Sequence, residues 1–183
     1  MYDTFIYMQK ELPTQVFFSL GSNQGDRLSM LVNAVERLKL HSAGCIRVSG
    51  IYETEPWGFV AEQRFYNAVA EMWFLLTLQE VLHLCLETES VMGRQRSTGG
   101  GYSSRPIDID ILFYGNRIII DEGLIVPHPR LHLRRFVLEP MAELAPDFIH
   151  PSFNQPIKEL LSSCPDKGEV VFIRPFPWKE DID

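Results

Sequence analysis

The sequence predicts an α+β fold of the ferredoxin-like kind, in which a βαββαβ run makes a four-stranded antiparallel sheet with two helices on one face, followed by additional C-terminal helices and a strand. Three observations carry this expectation. The chain of 183 residues has the size of one domain, and with 45% hydrophobic and 22% charged residues it can bury a sizeable core. Short β-branched and aromatic runs alternate with two segments of helical periodicity. Capping and turn residues stand at the junctions between them.

The first strand is Val16–Leu20, stopped at Gly21 and followed by the turn GSNQGD. From Asp26 to about His41 the apolar residues Leu28, Leu31, Val32, Val35 and Leu38 recur at helical spacing, with Asp26 suited to the N-cap and Gly44 to the stop. Ile46–Tyr52 and Tyr66–Leu76 read as strands on either side of a polar loop, Glu53–Arg64. Thr77 and Glu80 form a capping-box pattern ahead of a helix that runs through Val91 and ends at Gly93. The least compact stretch, GRQRSTGGGYSSR, leads into a fourth strand, Pro106–Tyr114, which turns at Gly115–Asn116 into Arg117–Ile120. Further on come helices over Phe136–Leu144 and Ile157–Ser162 and a last strand, Glu169–Arg174, placed either to cover the sheet edge or to wall the face opposite the two helices, which is otherwise free for a ligand.

Composition excludes several classes. No apolar stretch approaches the ~18 residues of a membrane span, and the N-terminus lacks the basic and apolar regions of a signal peptide, so a cytoplasmic protein without a membrane partner is expected. Three scattered cysteines without a C-x-x-C argue for reduced, mostly buried thiols. A net charge of −7 disfavours nucleic acid as partner. Between Arg94 and Arg135, however, stand seven arginines, no lysine and four acids, a local +3 that suits a small polyanion.

Three constellations bear on chemistry. In a strand, residues two apart share a face, so Asp108 and Asp110 point together while Ile107, Ile109 and Ile111 point to the core. Two like charges so placed are costly unless a cation compensates them; magnesium beside a polyphosphate supplies it, and an exposed strand with two solvated acids, or acids paired to Arg94, Arg96 or Arg105, is the plainer alternative. The loop 93–105 is glycine-rich, hydroxyl-rich and cationic, which fits a lid that brings Arg94 and Arg96 onto phosphates, or an ordinary surface loop. Phe65 and Asn67 share a strand face, where a flat heterocycle can stack on the ring and meet the amide at its edge; by themselves they read equally as a core aromatic beside a structural Asn. His128, held between Pro127 and Pro129 near Arg130, Arg134 and Arg135, suits a phosphate contact or an ordinary turn.

Ser19-Leu-Gly-Ser-Asn23, Tyr52-x-Thr54 with Pro56 and Gly58, Gln63-x-Phe65-x-Asn67, Gly93-Arg94-x-Arg96, Arg105-x-Ile-Asp108-Ile-Asp110-Ile-Leu and Val126-Pro-His128-Pro together resemble the 6-hydroxymethyl-7,8-dihydropterin pyrophosphokinases of folate biosynthesis, in order from about residue 16 to 151. The resemblance implies one domain over 1–183, with 1–15 and about 166–183 as terminal extensions, that transfers a diphosphate from ATP to the pterin's hydroxymethyl oxygen and releases AMP. It implies two magnesium ions on Asp108 and Asp110, and Arg94 and Arg96 on a catalytic loop. Phe65 and Phe136 would enclose the pterin, with Asn67 at its edge and Thr54, Glu55 and Trp57 around it. Glu89, Arg94, Arg105, Ile111, His128 and Arg134 would meet ATP. The chain departs from the family in Tyr102-Ser-Ser-Arg105 ahead of the paired acids, in Ser97 and in Gly123, which leaves the loop's individual roles open. A nucleotidyltransferase would place its Gly-Ser and D-x-D close together, and an RNA-binding sheet would need a basic face with aromatic motifs. A monomer is expected.

Overall fold

The computed structural model describes residues 12–58, 61–94, 104–121 and 123–178. Its elements in order are β1 (Thr14–Ser22), α1 (Arg27–Lys39), β2 (Arg47–Val48), β3 (Ile51–Thr54), β4 (Phe65–Phe74), α2 (Leu78–Val91), β5 (Asp108–Tyr114), β6 (Ile119–Asp121), β7 (Leu124–Val126), α3 (Arg135–Leu144), β8 (Ile149–His150), β9 (Gln155–Pro156), α4 (Ile157–Ser162) and β10 (Val170–Arg174). The main sheet runs β10-β3-β4-β1-β5, with β2 also on β4, and its pairings are antiparallel. The result is an α+β fold built on an antiparallel sheet. Among the described residues no helix is long and apolar enough to cross a membrane.

The helix signals act as expected. Asp26 caps α1 by accepting from Ser29 N–H at 3.1 Å, and Thr77 and Glu80 cap α2 reciprocally. Gly93 adopts a φ of 91°, which lets the chain leave α2 where an L side chain would be strained. Helix α1 ends earlier than its glycine, at Lys39, and Gly44 instead tucks under Trp73, where a Cβ would lie 2.9 Å from the Trp73 Cβ.

The expected strand Ile46–Tyr52 is broken in two at Ser49-Gly50. Ser49 is fully buried, and its hydroxyl takes the N–H of Val69 at 2.9 Å. Gly50 N–H turns instead to the Glu143 carboxylate of α3, at 2.9 and 3.1 Å, and a Cβ there would meet the Phe172 ring of β10 at 2.3 Å. Side-chain groups thus replace the ladder locally, and the step lets β10 extend the sheet on β3. The segment after Asn116 is also corrected: β6 pairs with β7, not with β5, and makes a separate two-stranded ribbon.

Alternation divides the core into two layers. Val16, Phe18, Leu20, Ala68, Ala70, Met72, Ile109 and Ile111 pack in one cluster with α1 and α2. Phe17, Val69, Leu112 and Phe113 pack on the other side against Val137, Leu138, Met141, Ile157 and Leu160 of α3 and α4. The face expected to be free is therefore half covered. The end of it bearing Ser19, Gly21, Asn67, Asp108 and Asp110 lines a cavity. The C-terminal pieces do both things considered for them, since α3 and α4 wall the face and β10 joins the edge. Cys85 and Cys164 are buried free thiols and Cys45 is exposed, in keeping with mostly buried cysteines.

His150 lies in the second layer, 3% exposed, stacked on Phe153 at 4.3 Å and edge-on to Phe113 at 5.3 Å. Its Nδ1 accepts from Ser152 and Phe153 N–H at 3.2 and 3.3 Å. Burial, with His132 nearby, pushes its pKa down to about 4. The unfolded chain therefore takes up this proton first, so the stabilisation is complete above about pH 6.5 and is lost as pH falls towards 4. Between about pH 7 and pH 5 the loss is on the order of 1 kcal/mol after solvent screening. His150→Asn, which retains an acceptor for the same N–H groups, is expected to flatten the dependence of the urea midpoint on pH over that range; an unchanged slope would remove His150 as its source.

Candidate active site

The open end of the sheet supplies the floor of the site. Register places Asp108 of β5 opposite Gly21 of β1, and Gly21 opposite Asn67 of β4, so the three lie in one row; Asp110 and Ser19 lie together in the next. Two strand spacings separate Asp108 from Asn67, about 10 Å. Gly21 keeps the row passable, since a Cβ there would stand 3.1 Å from Asn67 Oδ1 and 3.6 Å from the Phe65 ring.

Two cavities meet on this floor. One, of about 480 Å³ including the solvent at its mouth, is lined by Thr54, Glu55, Trp57, Phe65, Asn67 and Phe136. The other is an open cleft of about 1460 Å³ including the solvent at its mouth, with Glu89, Arg94, Ile111, Leu124, His128 and Arg130 on its walls. Arg105, Asp108, Asp110 and Arg134 line both. Every predicted site residue within the described chain thus borders one cavity or both, while Arg96 lies outside the described residues.

The smaller cavity is aromatic. Phe65 is 8% exposed and Asn67 3%. Asn67 Nδ2 donates to Thr54 Oγ1 at 2.8 Å, which directs the amide carbonyl oxygen to the cavity side as an acceptor. Trp57 and Phe136 stand 6.4 Å apart, with the Arg134 guanidinium 5.0 Å over the first ring and 5.7 Å over the second.

In the larger cleft the paired acids are met by arginines. Asp108 accepts from Arg94 and, at 2.9 Å, from Arg105; Arg94 also bonds Glu89. Asp110 has Arg134 at 3.4 Å and His128 Nε2 at 3.9 Å. Asp108 thus shows the plainer alternative, pairing to Arg94 and Arg105, whereas Asp110 meets Arg134 instead. Burial and then the Asp108 charge still push the Asp110 carboxyl up to about 6, with Arg134 and Arg105 acting in the opposite direction. Burial, with Arg134 and Arg130, pushes His128 down to about 4, so it is neutral at pH 7. Its Nδ1 accepts from Arg130 N–H at 3.2 Å, which puts the proton on Nε2, the nitrogen nearer Asp110. Glu89 is 2% exposed and holds the β5 backbone through Ile109 N–H at 2.8 Å.

An all-oxygen pair of like charges on one strand face fits a hard divalent cation. The described residues contain no group of three or more His, Cys, Asp and Glu that would enclose an ion, so phosphate oxygens and water would complete its shell. The Nε of Arg105 is buried and has no hydrogen-bond partner among the described residues, a donor suited to an anion in the shared wall.

Asn23, which the sequence places in the turn after β1, has a role that a turn residue does not announce. Only 2% exposed, Asn23 accepts Arg105 N–H at 2.8 Å, gives its own N–H to Arg105 O at 3.2 Å, and donates through Nδ2 to Ser104 Oγ at 3.0 Å and Gln63 O at 3.4 Å. It therefore fastens the arm that bears Arg105 to the segment that enters Phe65. The available signal was a polar Asn directly after an apolar strand, which is also the signature of a turn.

A model of the family described as 7,8-dihydro-6-hydroxymethylpterin-pyrophosphokinase matches residues 17–146. The chain is similar to the 2-amino-4-hydroxy-6-hydroxymethyldihydropteridine pyrophosphokinase of Porphyromonas gingivalis, at 42% identity over 143 residues covering 77% of this chain and 97% of that protein. It is similar to the protein of the same name from Aquifex aeolicus, at 38% over 144 residues, 79% of this chain and 88% of that one. Among solved structures, an HPPK-DHPS complexed with substrates aligns with a TM-score of 0.68 at 14% identity over 84% of this chain, a likeness of fold; the chain spans 43% of that protein's length.

Asn23→Ala removes several buried hydrogen bonds and is expected to lower unfolding free energy by about 2 kcal/mol, read from urea denaturation. Because Arg105 borders both cavities, KM for both ligands is expected to rise. A variant with wild-type stability and both KM values unchanged would overturn the fastening role.

Proposed function

The chain belongs to the 7,8-dihydro-6-hydroxymethylpterin-pyrophosphokinase family, and from that premise we propose how its two cavities divide the work. The protein transfers a diphosphate from ATP to the hydroxymethyl group of 6-hydroxymethyl-7,8-dihydropterin, a step of folate biosynthesis that yields the pterin diphosphate and AMP. The observation that carries the assignment of sites is the pair of unlike cavities sharing Asp108, Asp110, Arg105 and Arg134. A flat aromatic-walled pocket suits the pterin, a long polar cleft suits ATP, and the shared acids stand where the two substrates react.

Phe65 and Phe136 enclose the pterin ring, Trp57 and Glu55 close its side, and the Asn67 carbonyl accepts from its edge while Thr54 holds that amide in place. Arg94, Arg105 and Arg134 bind the phosphates, and His128 adds a neutral Nε2–H donor. Ile111 lies against the adenine, and Glu89 stands at the nucleotide wall, orienting Arg94. Asp108 and Asp110 would hold two magnesium ions. Bound there, magnesium would neutralise phosphate charge and lower the pKa of the attacking hydroxyl. The residues work by positioning an in-line attack on the β-phosphorus and by matching charge, with no covalent enzyme intermediate. Arg96, on the loop that follows Arg94, would meet the charge that develops on departing AMP.

The order β3-β4-β1-β5, with α1 and α2 on one side, supports a ferredoxin-like description of the core. The same reading has a single domain acting as a cytoplasmic monomer on ATP and a pterin, without nucleic acid or membrane.

Incubation with ATP, magnesium and the reduced hydroxymethylpterin is expected to release AMP; release of ADP would refute diphosphate transfer. Asp110→Asn is expected to lower kcat by at least about 100-fold in a folded protein, and a largely active variant would sink the role of the acidic pair. Arg96→Ala is expected to depress kcat about 100-fold while changing the pterin KM little; the reverse pattern counts against its role at the leaving group.

A further inference from the structure

We infer that Arg27 is a positioning residue for the pterin pocket, holding the mouth of the β3–β4 loop at the width that Phe65, Thr54 and Asn67 need; this rests on the reading of those three residues as the pterin site. Arg27 is the first residue of α1 and borders neither cavity. Its Nη1 donates to Glu53 Oε1 at 2.9 Å and to the Arg64 carbonyl at 2.7 Å, while its guanidinium carbon lies 3.7 Å from the centre of the Tyr66 ring. One planar group thus grips the last turn-side residues of both stems and stacks on a third.

The register shows why this grip acts on the pocket. Thr54 faces Phe65 across the strand pair, and Glu53 faces Tyr66. Successive residues point to opposite faces, so the Thr54–Phe65 pair turns to the cavity and the Glu53–Tyr66 pair turns to the side on which α1 lies. Arg27 holds from behind the hairpin whose front binds the ring. Side chains of Arg27 and Glu53 retain 21% and 23% exposure, so the pair is less screened than Arg64, at 37%, with its partners Glu55 and Glu169. The ATP side is independent of this clamp, since Arg94, Ile111 and His128 lie on α2's end, β5 and the segment before α3.

Loosening the clamp lets the two stems part and removes the pre-formed fit for a rigid ring without touching the phosphate contacts. Arg27→Ala is expected to raise the pterin KM about 10-fold while the ATP KM stays within about two-fold and kcat falls less than about three-fold. Arg27→Lys, which reaches one acceptor and cannot stack flat, is expected to fall between, and Glu53→Gln to raise the pterin KM by a smaller factor. Equilibrium titration with 6-hydroxymethyl-7,8-dihydropterin, in the presence of a non-hydrolysable ATP analogue, is expected to show the same ordering. A folded Arg27→Ala protein with an unchanged pterin KM, or one in which both KM values rise together, overturns the inference. Should Arg27→Ala not fold, Arg27→Lys and Glu53→Gln decide it by the same split. Phe65→Ala separates the two claims: if it leaves pterin affinity intact, the pocket is misassigned; if it weakens affinity while all Arg27 variants do not, the clamp alone fails.

Discussion

Two carboxylates side by side on one face of β5 are the constraint around which the rest of the site is arranged. Burial and then the Asp108 charge raise the proton affinity of Asp110, so two like charges on this sheet floor call for compensation. Compensation comes from outside the strand: Arg94 from the end of α2, Arg105 from the arm before β5, and Arg134 from the entry to α3. The fold brings these three segments to one place. Glu89 fixes Arg94 and the β5 backbone together, and Asn23 fixes Arg105 to the first turn, so the cations are attached to the same sheet they serve.

The sheet's steric pattern complements its charge. Large residues on the face opposite α1 and α2 stop where the site begins: Phe17, Val69, Leu112 and Phe113 lie beneath α3 and α4, whereas Ser19, Gly21 and Asn67 continue the same strands into the cavity. A single period-2 pattern therefore makes core at one end and floor at the other. The β3–β4 hairpin repeats this division across its thickness, with Thr54 and Phe65 on the cavity side and Glu53 and Tyr66 held by Arg27.

Local signals made much of this legible. Asp26, Thr77 with Glu80, and Gly93 mark helix ends by chemistry that involves only neighbouring residues. The alternation of Ile107, Asp108, Ile109 and Asp110 assigns faces without knowledge of neighbouring strands. Non-local compensation was illegible. The break at Ser49-Gly50 depends on Glu143 and Phe172, both distant in sequence, and the pairing of β6 with β7 depends on a turn whose strands are too short to show a pattern. Asn23 and Arg27 sit in a stretch that reads as a turn and cap, and their reach to Arg105, Ser104, Gln63, Glu53 and Arg64 appears only when the strands are side by side.

Charge balance in the cleft bears on how an acidic protein would accommodate a polyphosphate there. Among the described residues lining it, Glu89, Asp108, Asp110 and Asp121 stand against Arg94, Arg105, Arg130 and Arg134, with His128 neutral. These formal charges cancel. A polyphosphate alone would bring uncompensated negative charge to Asp108 and Asp110, and a divalent cation alone would compete with arginines already seated there. A polyphosphate carrying its cations would avoid both penalties: its metal charge would compensate the acids and leave the arginines for phosphate oxygens. On that reading the arginines beside Asp108 and Asp110 would already stand where the phosphates bind, and the net charge of −7 is carried elsewhere on the molecule.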